Sequence, residues 1–131
     1  MIVRDFNKII EDDNDRVVSD SQWTSVRMLL AGDGMGFSFH VTFLEEGSEH
    51  TFEYKNHFES VYCMKGKGAI TDLATGETHN IVPGVMYALN AHDRHTVRAD
   101  EELVMACVFN PPVAGSEVHR EDGSYAPAKE G

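Results

Sequence analysis

Three residues of this chain have side chains that could bind a first-row metal ion: Glu59, Tyr87 and His95. Each lies in or beside a stretch with the pattern of a β-strand, and carboxylate, phenolate and imidazole groups all bind such metals. Two oxygen ligands and one nitrogen ligand leave coordination positions open for water or substrate. This suits iron, manganese or zinc acting as a Lewis acid better than a closed structural zinc site. Because the three positions match no local metal-binding motif, their spacing alone leaves metal binding undecided.

The chain has the spacing of both cupin motifs, with most of their metal-binding histidines replaced. Glu53 and Lys55 stand where the first motif has its two histidines, while the glutamate of that motif is kept as Glu59. In the second motif Tyr87 stands where the metal-binding histidine usually follows Gly-x-x. The resemblance therefore implies either a metal-free cupin or a cupin whose metal is bound by other residues.

Four separated segments, in the same order along the chain, resemble the ectoine synthase family within the cupin superfamily. They are MGFSFHVT (35–42), YKNHFESVYCMKGKG (54–68), PGVMYALNAHDRH (83–95) and ACVFNPP (106–112). The similarity spans nearly the whole chain, from MIVRD at the start to EDGSY at 121–125. It implies a metal-dependent hydro-lyase that cyclises N-γ-acetyl-L-2,4-diaminobutyrate to L-ectoine with release of water. By the same resemblance, this reaction would be the last step in the biosynthesis of ectoine, a compatible solute made under osmotic stress.

The same resemblance implies the site residues. The metal ligands would be Glu59, Tyr87 and His95, with Fe(II) as the ion and manganese or zinc as alternatives. The residues that would contact the substrate are Trp23, Ser25, Arg27, Thr42, Tyr54, His57, Cys107, Phe109, Glu117 and His119. Among them Tyr54, His57 and Glu117 are the candidates for catalytic proton transfer, because the substrate ammonium must lose a proton and a general acid must help hydroxide leave. The sequence does not rank these three.

Other site residues have roles suggested by their chemistry. Arg27 could bind the substrate carboxylate through two parallel hydrogen bonds, a geometry that lysine cannot reproduce. Trp23 and Phe109 would exclude water, although aromatic residues of a small barrel more often serve only as core packing. Cys107 lies on an apolar stretch, where a buried, unreactive thiol is the favoured alternative to a substrate contact.

The elements that must position these residues are β-strands, because the dominant hydrophobic period is two. Apolar and polar residues alternate from 37 to 43. Further strands are predicted through 25–30, 52–54, 60–64, 69–73, 79–82 and 103–109, the last of them buried on both faces. Short strands between Gly, Pro and Asn turns favour an all-β sandwich or barrel. The histidines expected at the surface or at strand ends, without a role, are His40, His50, His79 and His92.

With the cupin resemblance, this pattern predicts one all-β domain over residues 1–131, a jelly-roll β-barrel with short helical or lid segments at its ends. A helical turn is expected within residues 5–11, and residues 116–131 are expected to form a mobile lid or tail. The resemblance also implies a homodimer, since small cupins pair their sheets to hide edge strands.

Composition excludes several classes of partner. The chain has 131 residues with 11 Lys+Arg against 22 Asp+Glu, a net charge of −11. It has no basic cluster for binding nucleic acid or anionic membranes. Cys63 and Cys107 form no CxxC motif, and the N-terminus lacks a secretion signal, so we expect a reduced, cytoplasmic protein. The acidic surface would suit a salty cytoplasm.

Two other functions compete with the cyclising enzyme. The missing first-motif histidines are also compatible with a non-catalytic cupin that binds a small zwitterion or a sugar. A metal-free sugar isomerase of cupin type ranks last, because the sequence has no clear site for a substrate phosphate.

Overall fold

The hydrophobic period of two gives a molecule built almost entirely of β-strands. A computed structural model describes residues 1–12 and 15–115. In chain order the elements are α1 (Phe6–Glu11), β1 (Val17–Asp20), β2 (Trp23–Leu29), a 3-10 turn (Ala31–Asp33), β3 (Ser38–Leu44), β4 (Glu49–Phe52), β5 (Phe58–Lys65), β6 (Gly68–Asp72), β7 (Thr78–Ile81), β8 (Met86–Leu89), β9 (His95–Ala99) and β10 (Leu103–Asn110). The expected lid at 116–131, which contains Glu117 and His119, lies outside the described residues.

The strands form two antiparallel sheets that enclose the core. The larger sheet has the order β1-β2-β3-β10-β5-β8, and the smaller has the order β4-β9-β6-β7. Buried residues from both sheets belong to one hydrophobic cluster, which includes Leu44 and Leu103 from the larger sheet and Val97 and Ile70 from the smaller. The all-β prediction is therefore confirmed by two antiparallel sheets around one core.

Strand β3 turns its polar face inward. Ser38, His40 and Thr42 are buried, whereas the apolar residues that alternate with them are only half-buried. The expectation that His40 lies at the surface or at a strand end is wrong, because it sits in the middle of β3 and is 1% exposed. The reason is that the ring of His40 has hydroxyl partners on the inner side, in Ser25 and Ser38, while helix α1 lies over part of the outer face, where the rings of Phe6 and Phe43 are 5.9 Å apart.

Strand β10 lies at the centre of the larger sheet, between β3 and β5. Its residues alternate between buried and half-buried, so the prediction of burial on both faces is wrong. The inner face carries Cys107, which lies opposite His40 of β3 and Val61 of β5. It also carries Phe109, opposite Glu59 of β5. Two predicted site residues thus stand at the middle of the sheet.

The predicted helical turn near the N-terminus is present as α1. Asp5 caps it, because its carboxylate accepts hydrogen bonds from the first backbone amides of the helix. The segment before α1 is tied to the 3-10 turn by Arg4, whose guanidinium makes two hydrogen bonds to Asp33 at 2.8 and 3.1 Å. Within residues 1–12 and 15–115, no helix is long and apolar enough to cross a membrane.

Candidate active site

A narrow cavity of about 20 Å³, roughly enough for one water molecule, lies between the two sheets. Its lining combines apolar walls with polar groups, as ligand sites usually do. The predicted site residues that line it are Thr42, Tyr54, Glu59, Tyr87, His95, Cys107 and Phe109. Residues that are far apart in the sequence therefore meet at one place inside the fold.

The three predicted metal ligands come from three strands. Glu59 lies on β5 and Tyr87 on the neighbouring β8, where it pairs with Val61. His95 begins β9 in the opposite sheet, and its ring centroid is 6.5 Å from that of Tyr87. Because the predicted ligands come from two sheets, their spacing along the chain could not show that they meet.

His95 is oriented as a metal-binding histidine would be. Its Nδ1 lies 2.8 Å from the backbone oxygen of Asp93, which assigns the proton to Nδ1 and leaves the Nε2 lone pair for a ligand. Burial lowers the pKa of His95, with the Asp93 contacts acting in the opposite direction. The ring is therefore held in the neutral form that metal binding requires.

Glu59 and Tyr87 lie in a poorly solvated environment. Burial raises the pKa of Glu59 to about 8, and a hydrogen bond from the Cys107 thiol acts in the opposite direction. Burial also raises the pKa of Tyr87 well above its usual value, and the nearby Glu59 carboxylate adds to the shift. A buried carboxyl and a half-buried phenol beside a neutral imidazole fit a divalent cation, whose positive charge would stabilise the carboxylate and phenolate anions.

A metal site with three protein ligands would need the phenol oxygen of Tyr87 as one of them. Among the residues that the structure describes, no three His, Cys, Asp or Glu side chains form a cluster able to hold a metal. A set made of Glu59, Tyr87 and His95 is compatible with this, because one of its members is a tyrosine. The donor set matches the open sites of catalytic metals more closely than closed structural sites.

Arg27 and Ser25 lie on β2, next to the cavity wall. Ser25 pairs with Thr42 across the strands, and Arg27 pairs with His40. Arg27 is fully buried; its Nη1 donates to the Gly115 carbonyl at 2.7 Å and its Nε to the Ser25 hydroxyl at 3.5 Å. The structure therefore places the predicted carboxylate-binding arginine on the inner face, although it does not line the cavity itself.

Phe109 organises the aromatic part of the site. The edge-to-face partners of its ring are Tyr54 at 5.1 Å and His57 at 5.8 Å, measured between ring centroids. His40 packs against it at 5.1 Å in a tilted arrangement. Trp23 is part of the hydrophobic core. Phe109 thus holds two proton-transfer candidates in position and is also core packing.

Cys107 contributes a neutral thiol to the cavity. Its Sγ lies 3.6 Å from the Thr42 hydroxyl and also hydrogen-bonds Glu59. Burial raises the pKa of this thiol well above its usual value, and the Glu59 carboxylate reinforces the effect. Both Cys63 and Cys107 are free and buried. This favours a hydrogen-bonding thiol over a nucleophilic thiolate.

His40 was not predicted from the sequence to lie near the candidate site. The signal that could have found it is parity along the strand, because residue 40 shares a face with Thr42, which was already a predicted site residue. The other three histidines fit their expectation better: His79 and His92 are exposed and His50 is half-buried.

Comparison with known proteins gives consistent results. The sequence profile described as "Ectoine synthase" matches residues 1–129. A protein of Hyphomonas neptunium named L-ectoine synthase is 63% identical over 127 residues, which covers 95% of this chain and 93% of that protein. One of the same name from Desulfosudis oleivorans is 56% identical over 126 residues, covering 95% of this chain and 96% of its own length.

Solved structures agree with this result. The crystal structure of ectoine synthase from P. lautus superposes with a TM-score of 0.86 at 44% sequence identity, covering 100% of this chain and 94% of that one. KdgF from Halomonas sp. superposes with a TM-score of 0.64 at 16% identity, over 76% of this chain and 90% of that one. The second likeness concerns the fold alone.

Proposed function

The chain belongs to the ectoine synthase family of cupin-fold enzymes, and from this premise we propose that it cyclises N-γ-acetyl-L-2,4-diaminobutyrate to L-ectoine. The reaction releases water, so the enzyme is a hydro-lyase that completes the synthesis of a compatible solute. The observation that carries the proposal is the convergence of Glu59, Tyr87 and His95 with four further predicted site residues around one cavity.

The reaction forms a carbon–nitrogen single bond and then a carbon–nitrogen double bond, and it breaks both bonds of one carbon–oxygen double bond. The α-amine, after losing a proton from its ammonium form, attacks the acetamide carbon and closes a six-membered ring. The former carbonyl oxygen then leaves as water with two protons, and a carbon–nitrogen double bond completes the amidine. Since amides are poor electrophiles, the site must stabilise the charge that develops on that oxygen.

Glu59, Tyr87 and His95 would hold a divalent first-row metal, with Fe(II) as the proposed ion. Such an ion, when bound, supplies Lewis-acid polarisation of the amide carbonyl. The hydrogen bond from His95 to the Asp93 carbonyl fixes the ring orientation for this task. Glu59 is buried and Tyr87 is half-buried, so both oxygens lie on the inner side of the larger sheet, where they line the cavity.

The chain's other residues bind the substrate and transfer protons. Arg27 would pair with the α-carboxylate, which fixes one end of the substrate. Tyr54 and His57 are held against Phe109 and would receive the ammonium proton or supply one to the leaving oxygen. A folded substrate with its amine about 3 Å from the carbonyl carbon gains further rate through proximity.

A direct test follows the acetylated diamine by NMR, with anaerobically purified protein and added Fe(II). We expect the acetamide methyl signal to be replaced by the methyl signal of the cyclic amidine. The variants Glu59→Ala, Tyr87→Ala and His95→Ala should lose both bound iron and turnover. Full activity and full iron content in all three would refute the ligand assignment. Saturable binding without turnover would instead favour a non-catalytic cupin.

We also propose that two copies of this chain form a homodimer through the outer face of the larger sheet. Phe58, Tyr62, Met64 and Met86 lie together on β5 and β8, and each remains 44–60% exposed. The half-buried outward residues of the adjacent β10 are apolar as well. Two chains that each carry a charge of −11 repel one another, so an uncharged face is where they can approach.

Sedimentation equilibrium tests this association. Tyr62→Glu should dissociate the dimer, because it places a charge in the centre of the apolar face. Leu73→Glu is the matched control, since Leu73 is 41% exposed but lies next to the smaller sheet. A monomeric wild-type protein, or equal dissociation by both variants, would contradict the proposed interface.

A further inference from the structure

His40 is a buried polar residue near the cavity to which the proposed reaction assigns no role. It stands on β3, directly opposite Arg27 of β2 on one side and Cys107 of β10 on the other. A polar ring at this depth is costly unless its nitrogens are hydrogen-bonded. The contacts of the ring therefore indicate what the residue is for.

Both ring nitrogens of His40 have hydroxyl partners. Nδ1 lies 3.2 Å from the Ser25 Oγ, and Nε2 lies 3.1 Å from the Ser38 Oγ. Ser38 in turn accepts a hydrogen bond from the Val113 amide at 3.0 Å. The three side chains form a ladder that runs from the Val113 backbone to Ser25, the serine next to Arg27.

The direction of each hydrogen bond in this ladder follows from the Val113 amide. Because that amide donates to the Ser38 Oγ, the hydroxyl hydrogen of Ser38 needs an acceptor elsewhere. Within residues 1–12 and 15–115, the acceptor in contact with it is His40 Nε2. The proton of His40 then sits on Nδ1 and is donated to Ser25. The opposite tautomer would leave a buried hydroxyl hydrogen of Ser38 unsatisfied, which is unfavourable.

This direction leaves the Ser25 hydroxyl with a hydrogen to donate. Its oxygen accepts from His40 Nδ1 at 3.2 Å and from Arg27 Nε at the long distance of 3.5 Å. Its own hydrogen therefore points away from both donors. A hydroxyl donor beside a guanidinium is suited to a carboxylate, which accepts several hydrogen bonds at once.

We propose that His40 is a positioning residue, which donates from Nδ1 to Ser25 and so sets the Ser25 hydroxyl as a hydrogen-bond donor to the substrate carboxylate beside Arg27. The inference rests on the proposed function, since the carboxylate is that of the proposed substrate. His40 acts through Ser25 and touches no reacting atom. Loss of His40 should therefore weaken substrate binding more than it slows the chemical step.

The surroundings of His40 keep the ring in the required neutral form. Burial is the main cause that lowers its pKa to about 3, and the positive charge of Arg27 and the proximity of His57 act in the same direction. A protonated ring would donate from both nitrogens and would reverse the hydrogen bond from Ser38. The neutral ring therefore preserves the polarity of the whole ladder.

Two substitutions of His40 distinguish its hydrogen bond to Ser25 from its hydrogen bond with Ser38. H40N places an amide nitrogen near the former Nδ1 and can keep the donor to Ser25, whereas H40Q reaches the former Nε2 and keeps only the Ser38 contact. We expect H40Q to raise KM for the acetylated diamine about tenfold, the loss of one hydrogen bond to a charged group. KM of H40N should stay within about threefold of wild type, and kcat should change less than KM in both.

The double variant S25A/H40Q tests whether His40 acts through Ser25. We expect S25A alone to raise KM as much as H40Q, and the combined variant to raise it no further, because both remove the same donor. His79→Gln, at an exposed histidine, is the control and should leave KM unchanged. Equal KM increases in H40N and H40Q, no increase in either, or additive effects with S25A would overturn the inference.

The tautomer of His40 provides a test that needs neither turnover nor a variant. Long-range proton–nitrogen NMR of the wild-type protein at pH 7 should find the proton of this ring on Nδ1. A proton on Nε2 would overturn the inference even if the enzyme is active. Absence of turnover by the wild-type protein, with the proton on Nδ1, would count against the proposed function and leave the ladder intact.

Discussion

Acidification should destabilise this protein through His40 in particular. The folded protein holds the pKa of His40 at about 3, whereas the unfolded chain has the ordinary value of 6.5. Because this pKa is lowered on folding, the stabilising contribution is fully present above pH 6.5 and is lost progressively as the pH falls towards 3. Across that window the unfolded chain binds one proton that the folded protein does not bind.

The size of the effect follows from this difference. Each pH unit inside the window lowers the unfolding free energy by about 1.4 kcal/mol. From pH 7 to pH 4.5 the window covers about two units, so the contribution of His40 is on the order of 2–3 kcal/mol. The titratable groups that face the ring, Arg27 and His57, both oppose a positive charge at this position.

The assay compares urea unfolding of the wild-type protein and H40N at several pH values in metal-free buffer. Trp23 is the single tryptophan and is buried, so its fluorescence reports unfolding. The advantage of wild type over H40N should shrink by about 2–3 kcal/mol between pH 7 and pH 4.5, because the other groups titrate alike in both proteins. His79→Asn, an exposed control, should parallel wild type. If H40N also parallels wild type, the ring is not held neutral by burial and the reasoning fails.

Three further substitutions probe the metal site, the N-terminal segment and the aromatic cluster. Glu59→Gln should abolish the rise in Tm that Fe(II) or Zn(II) gives the wild-type protein, since an amide is a poor substitute for a carboxylate ligand; an unchanged shift would exclude Glu59 as a ligand. Asp33→Asn should lower the unfolding free energy by about 1–2 kcal/mol, because Arg4 and Arg16 both contact that partly exposed carboxylate, and urea unfolding would detect it. Phe109→Leu should lower the unfolding free energy by about 1–3 kcal/mol and reduce kcat, since three ring contacts are lost. Full kcat in steady-state assays would show that these ring contacts do not position catalytic groups.

Much of the fold could be predicted from local patterns. The hairpin of β6 and β7 follows from two short strands around a turn with Gly76, whose φ of 77° is the left-handed conformation that glycine adopts easily. The short helix α1 was expected within residues 5–11. Strands β1, β8 and β9 have weaker hydrophobic patterns and were not predicted. Two of them have only four residues, and β9 has five, so each shows too few alternations to be recognised.

The face that each strand turns inward was harder to predict. In β3 the apolar residues Phe39, Val41 and Phe43 favour an apolar inner face, yet the polar face is the buried one. The alternation of a strand determines which residues share a face, but not which face is inside. That choice depends on what the neighbouring strands and α1 cover.

By itself the sequence determined the all-β class, the positions of most strands and the resemblance to the ectoine synthase family, because these depend on the local hydrophobic period and on four matching segments in the same order. The tertiary structure alone decided that Glu59, Tyr87 and His95 line one cavity, and that His40 lies buried between Arg27 and Cys107. The physical reason is that cross-strand register, set by pairing between distant segments, brings these groups together. Register is a property of two strands at once, so neither strand's residues can specify it alone.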